Sequence, residues 1–255
     1  MLYSAWGMRT ALVLSGGGMF GAYQAGVWSA LEGKWRPDIV VGTSVGALNG
    51  WAIAGGASGN DLIALWRDAG FSARLRWRVP RTPWGGLLDS HNLNETIRKL
   101  HATYQPRTEI GITVTALPRP RAQLVRNGDI TWHHLAASCA VLGMLAPLRI
   151  DNRSYCDGGM LGALPLWASA EMGATRIVAI PVMPRMPFAI RALLGAARAA
   201  SARQPDFANI ETIRIEPAGQ LGGAPDLLAY DRDKIERWIE MGRRDADQVL
   251  RQIIS

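Results

Sequence analysis

ALVLSGGGMFGAYQAGVWSALEGKWRPDIVVGTSVGALNG, residues 11–50, carries one local plan twice. Ala11 to Leu14 is a short apolar run of buried-strand type. It enters Ser15-Gly16-Gly17-Gly18-Met19-Phe20-Gly21 and then a helical pattern at Ala22, Ala25, Val27, Ala30 and Leu31. Asp38 to Val41 repeats the run, enters Gly42-Thr43-Ser44-Val45-Gly46, and continues with Ala47, Leu48, Trp51, Ala52 and Ile53. Each is a strand, a sharp turn and a helix.

The second turn fits G-x-S-x-G, in which a serine occupies a strained strand-to-helix corner with its hydroxyl exposed above a sheet. Small residues also crowd tight turns with no chemistry, so the five-residue pattern alone is weakly specific. The first turn supplies what such a serine would need. Backbone N–H groups of a glycine loop, aided by the positive end of the following helix, make a pocket for negative charge. Gly17, Gly18 and Met19 are the natural donors for the oxyanion of an acyl transfer, where losing one donor costs about 2.7–4 kcal/mol of barrier.

Gly16, Gly18 and Gly21 also spell the dinucleotide fingerprint G-x-G-x-x-G. That fingerprint requires an acidic residue at the end of the second strand to hold a ribose. Here the strand ends in Gly42-Thr43-Ser44, while Glu32 falls on the helix and Asp38 at the strand's start. No Gly-Lys-Ser/Thr follows the glycines, so a phosphate-binding P-loop is absent as well.

Strands alternating with helices predict a three-layer α/β/α sandwich with a largely parallel central sheet and its chemistry at the strands' carboxyl ends. The 255 residues, 48% apolar and 19% charged, suit one domain over 11–255 after a lead-in of residues 1–10. The longest nearly uncharged apolar stretch, Leu135 to Leu148, is too short to span a bilayer, and no secretory pattern opens the chain. The expectation is a cytoplasmic protein with Cys139 and Cys156 as free thiols. The net charge of +7 is mostly scattered arginine without a nucleic-acid motif. Two stretches are less even. Arg74, Arg76, Arg78 and Arg81 interleave with Leu75, Trp77, Val79 and Trp84, and Arg185–Arg203 sets Ile190, Leu193, Leu194 and Ala197 on one helical face. Each suits a membrane interface or a solvated face over an ordinary core stripe.

Further along, Asn92 with Glu95 predicts a capping box for a helix through Leu93, Ile97, Leu100 and Tyr104, in which His101 packs. Glu109 to Leu117 and Arg121 to Arg126 read as a hairpin. Leu135 to Leu145 predicts a buried helix, Pro165 opens another that Gly173 closes, and Arg176–Val182 and Ile210–Ile215 read as strands. The last helix, about Asp233–Ile253, carries acid-to-arginine pairs at Asp233–Arg237, Glu240–Arg244 and Asp247–Arg251.

Asp157, between a strand end and Gly158-Gly159, is a turn signal in isolation and a projecting carboxylate in company with the first two motifs. Two bases for Ser44 follow. One is a triad through His133 or His134 with Asp89 or Asp129; the other is Asp157 acting alone, its pKa raised by exclusion of water.

Taken in order, Gly16-Gly17-Gly18-Met19-Phe20-Gly21, Gly42-Thr43-Ser44-Val45-Gly46 and Asp157-Gly158-Gly159 resemble the patatin-like phospholipase family, from Ala11 to about Val182. The resemblance implies a lipid acyl hydrolase of phospholipase A or lysophospholipase type, using a Ser–Asp dyad without cofactor or metal. Ser44 would be the nucleophile, Asp157 the general base and the glycine loop the oxyanion hole. It further implies a lipid substrate met at a membrane surface, with no nucleic-acid partner, and leaves the oligomeric state open. The chain departs from the family at Phe20, where a basic residue is usual, and at Gly162 and Ala163, where an asparagine often follows the Asp-Gly-Gly turn. Phe20 sustains a second expectation, a catalytically silent lipid-binding member of the same fold. A nucleotide-binding α/β domain is the third.

Overall fold

The computed structural model describes residues 7–68, 76–77, 85–183 and 207–254. The two arginine-rich stretches fall largely outside them. β1 (Thr10–Leu14), β2 (Ile39–Thr43), β9 (Arg176–Ile180) and β10 (Glu211–Arg214) join β5 (Glu109–Leu117) in a parallel array ordered β10-β9-β1-β2-β5. The expected parallel sheet is therefore present, with an antiparallel wing. β6 (Arg121–Arg126) and β8 (Arg153–Asp157) both run antiparallel to β5, and β7 (Leu148–Ile150) pairs with β8. A separate two-stranded ribbon joins β3 (Arg76–Trp77) to β4 (Leu88–Asp89).

Side chains alternate across a strand, and the parallel strands use both faces. Leu12, Leu14, Val40, Ile110, Val178 and Ile180 face one core. That side is covered by α1 (Gly21–Leu31), α2 (Val45–Ala54), α3 (Gly59–Arg67), α4 (His91–Thr103), α5 (Trp132–Ser138) and α7 (Arg232–Ile254). Ala11, Val13, Ile39, Val41, Ile177 and Ala179 face the other core, under α6 (Leu166–Glu171). α1 and α7 cross with their backbones touching. A Cβ on Gly26 would stand 2.0 Å from the Ile239 carbonyl oxygen, and one on Gly242 would stand 2.2 Å from that of Tyr23.

The hairpin β5–β6 has the expected ends. Other boundaries differ for local reasons. β9 stops at Ile180 because Pro181 lacks an N–H and the Val182 N–H turns to the Ser15 hydroxyl at 2.8 Å. The helix expected over Leu135–Leu145 ends at Ser138. Beyond it Gly143 takes φ +85°, and the carbonyls of Gly143 and Met144 accept the N–H groups of Leu87 and Leu88. Asn92 does not cap α4: the helix starts at His91, whose N–H goes to Asp89, and Glu95 pairs with Arg98. On α7 the Glu240–Arg244 pair is present at 3.9 Å, whereas Asp247 reaches Lys34 in the turn after α1 and Asp233 has no ion pair among the described residues.

Candidate active site

Ser44 sits between β2 and α2 with φ 55° and ψ −128°, a conformation that a residue with a Cβ rarely adopts. The corner holds because its neighbours leave no slack. A Cβ on Gly42 would meet the Gly46 carbonyl oxygen at 2.2 Å, and one on Gly46 would meet that of Leu14 at 2.4 Å. The Ser44 N–H is taken by the Ser138 hydroxyl at 2.8 Å, which in turn donates to the Thr113 carbonyl at 2.8 Å. With the backbone so committed, the side chain is the free part of the corner.

Register brings Asp157 to it. β6 pairs with Gly111–Ala116 of β5, opposite both β2 and β8, so β2 and β8 must share the other edge of β5. On that edge Thr43 is opposite Thr113 and Asp157 is opposite the next residue, Val114. The two strands thus meet end to end, one ending in Thr43-Ser44 and the other in Asp157. The Asp157 N–H is held by the Ala140 carbonyl, and its carboxylate accepts the Gly159 N–H at 2.6 Å. Burial raises the carboxyl from 3.8 to about 6, while hydrogen bonds from the Ser44 hydroxyl and the Gly159 N–H draw it partly back. Such a group is ionised at neutral pH and far more basic than a free aspartate.

The glycine loop faces the same point. The N–H groups of Ser15 and Gly16 are used by the Ile180 and Ala163 carbonyls, and that of Phe20 returns to the Gly17 carbonyl. Among the described residues no acceptor takes the N–H of Gly17, Gly18 or Met19. Gly18 has φ +53°, and a Cβ there would lie 2.1 Å from the Leu227 carbonyl oxygen, so only glycine brings the loop this close. Gly16, Gly17, Gly18, Met19, Ser44 and Asp157 line one cavity of about 610 Å³, whose remaining wall is mostly apolar, including Leu48, Trp66, Leu93, Leu142, Met144 and Leu145.

A model of the family described as patatin-like phospholipase matches residues 12–169, which include all three motifs. The chain belongs to the patatin-like phospholipase family. Its curated relatives include lysophospholipase NTE1 of Phaeosphaeria nodorum, 31% identical over 186 residues, covering 69% of this chain and 12% of that protein. Patatin-like phospholipase domain-containing protein 7 of Mus musculus is 29% identical over 192 residues, covering 70% of this chain and 14% of the other. The chain therefore corresponds to a small part of those relatives. Among solved structures, VipD from Legionella pneumophila has the same fold at a TM-score of 0.60 and 12% identity, over 96% of this chain and 67% of that one.

None of the four histidines lines the cavity: His101 stacks on Trp51, His133 on Trp132, and the His134 ring bonds to Thr131 at its own helix start. The acids that a dinucleotide would need are engaged elsewhere, Glu32 with the Gly59 N–H and Asp38 with Thr10. Phe20, the departure from the family pattern, packs edge-on against Trp238 with centroids 5.0 Å apart and is buried. Its side chain belongs to the α1–α7 core rather than to the cavity. Sequence reading missed Ser138, which orients Ser44, and the place of Cys139. Burial and then the Asp157 charge keep the Cys139 thiol protonated, well above the usual range, against an opposing hydrogen bond with Ser44. The signal was the crowd of small residues Ala136-Ala137-Ser138-Cys139, needed where a helix end abuts the tight corner at Ser44.

Proposed function

We propose that this chain is a serine lipid acyl hydrolase of phospholipase A or lysophospholipase type, working through a Ser44–Asp157 dyad. The observation that carries the reading is the junction of β2 and β8, where a strained serine meets a buried carboxyl of raised pKa in a cavity also lined by three residues whose N–H groups have no acceptor among the described residues. In the first step Asp157 takes the hydroxyl proton as Ser44 Oγ bonds to the ester carbonyl carbon. The carbonyl electrons move onto the oxygen, and the N–H groups of Gly17, Gly18 and Met19 stabilise that charge. Collapse breaks the bond to the alcohol, which leaves with the proton from Asp157. Water, deprotonated by Asp157, then adds to the acyl carbonyl carbon, and collapse breaks the bond to Ser44 Oγ, which takes the proton back from Asp157 as a carboxylic acid is released.

The apolar wall suits an acyl chain, and presentation from a lipid surface is supported by exposed apolar residues: Val141 and Leu228 line the cavity and stand exposed, as does Leu87 next to the lining residue Leu88. No helix among the described residues is long and apolar enough to cross a membrane. Phe20 gives no ground for a silent member, because its side chain leaves the cavity clear. The deciding experiment labels the purified protein with a fluorophosphonate and maps the adduct by peptide mass spectrometry, with Ser44→Ala as control. A label on Ser44 that the control lacks, together with fatty acid release from a phospholipid or lysophospholipid panel, is the expected result. An unlabelled Ser44, under conditions that label a known serine hydrolase, defeats the reading.

A further inference from the structure

Behind the glycine loop lies a chain of buried amides that the reaction itself does not use. Gln24 on α1 and Asn49 on α2 are each fully buried, and burying an amide is costly unless it is hydrogen-bonded. Gln24 Nε2 donates to the Ser15 carbonyl at 2.8 Å. Asn49 Nδ2 donates to the Gly21 carbonyl at 3.0 Å and to Gln24 Oε1 at 2.9 Å, and Asn49 Oδ1 accepts Trp66 Nε1–H at 3.0 Å. Ser15 and Gly21 are the two ends of the loop. Asn49 lies just over one turn past Ser44 on the same helix, so both ends of the loop are fastened to the element that carries the nucleophile.

Given Ser44 as nucleophile, on which this inference rests, we propose that Gln24 and Asn49 are positioning residues that hold the oxyanion donors of the loop in register with Ser44. Neither touches substrate. Their reach is through the carbonyls of Ser15 and Gly21, between which the N–H groups of Gly17, Gly18 and Met19 are suspended. Apolar side chains of similar size would fill the same volume but remove the side-chain ties from both carbonyls, leaving the loop less firmly fixed against α2. An oxyanion donor acts only when preorganised at hydrogen-bond distance from the developing charge, so small drift is expensive.

The test uses Gln24→Met, Asn49→Leu and the double variant, all assayed well below the lowest melting temperature. Gln24→Met keeps the Asn49 bonds to Gly21 and Trp66 and serves if Asn49→Leu does not fold. For a water-soluble short-chain ester, kcat should fall about 10–100-fold in each single variant with KM little changed. Affinity for a trifluoromethyl ketone, which becomes a tetrahedral oxyanion on the serine, should fall in step with kcat/KM. The double variant should be close to the worse single, because the two amides form one network. The acidic midpoint of the pH profile should stay where the parent has it, since Asp157 is not part of the network. Parent-level kcat and ketone affinity at that temperature would overturn the proposal, whatever the melting temperature, because a merely structural amide pair moves stability alone. A shifted pH midpoint would also overturn it, placing the effect on the dyad. If the parent itself fails to react with a fluorophosphonate, the hydrolase reading falls and this proposal with it. If the parent reacts and the variants react at its rate, only the positioning role fails.

Discussion

Residues 15–21 and residues 42–46 both carry the chain from a buried parallel strand into a buried helix, but they divide backbone and side chain differently. The first turn is long: after Gly16 and Gly17 the chain makes a short 3-10 turn over Gly18–Phe20, and α1 begins only at Gly21. The delay leaves consecutive N–H groups with no helical or strand partner. The second turn is a single residue deep, with α2 starting at Val45 and the Ser44 N–H already taken by Ser138. Its backbone is consumed and its side chain is presented. Turn length thus decides which part of the chain is available for chemistry, and strain is tolerated where the surrounding packing leaves no alternative.

The largest effects are expected at the sharper corner. Ser44→Gly should lower hydrolysis of a short-chain ester by at least about 10⁴-fold, as for loss of any nucleophile. The same change removes the Cβ from a positive-φ position, so urea unfolding should show about 1 kcal/mol of added stability. A destabilised Ser44→Gly protein would mean the corner is not strained. Asp157→Asn should lose about 10³-fold or more in kcat, since the proposed base is removed. In the parent, kcat/KM should rise tenfold per pH unit below about 6 and level off above it, the ionised carboxylate being the active form.

Asp157 also carries a stability signature. Its folded pKa is raised, so the stability it contributes is complete below its unfolded value near 3.8 and is lost as pH rises through about 6. That rise converts, at about 1.4 kcal/mol per pH unit, to about 3 kcal/mol. Asp157→Asn should therefore melt higher than the parent at pH 8, with the advantage gone by about pH 4.

In the longer turn, Gly18→Ala must push the loop away from Leu227, and kcat should fall about 10²–10³-fold while the Asp157 pH midpoint stays in place. A normal kcat would show that the loop donors are not the oxyanion site. The smallest effect on turnover is expected at Phe20→Arg. It trades an edge-on contact with Trp238 for a buried guanidinium, costing about 2–4 kcal/mol in urea unfolding with kcat changed only a few-fold. A large gain in phospholipid turnover would instead show that a cation at this position reaches the substrate.

Much of this was legible in the chain. Glycine spacing, apolar runs and turn residues located both strand–turn–helix units and the β5–β6 hairpin, because these depend on neighbours within a few residues. Asn92 and Leu135–Leu145 misled for the same reason: the capping residues and the apolar run looked sufficient locally, while contacts with Asp89 and with Leu87–Leu88 settled the ends. Ser138 carried no local sign of its task. Its hydroxyl matters only because α5 ends against the corner that another part of the chain makes.

By itself the sequence determined the two turns, the presence of a carboxylate at a Gly-Gly reversal and the strand–helix alternation, since sterics and hydrophobic periodicity act over one or two turns of chain. Tertiary structure decided that Asp157 arrives at Ser44. That outcome needs β8 to share an edge of β5 with β2 and to stop one register position beyond it, a condition set jointly by strands more than a hundred residues apart. Burial followed from the same meeting, and burial, not the identity of the residue, is what raises the carboxyl toward a useful base.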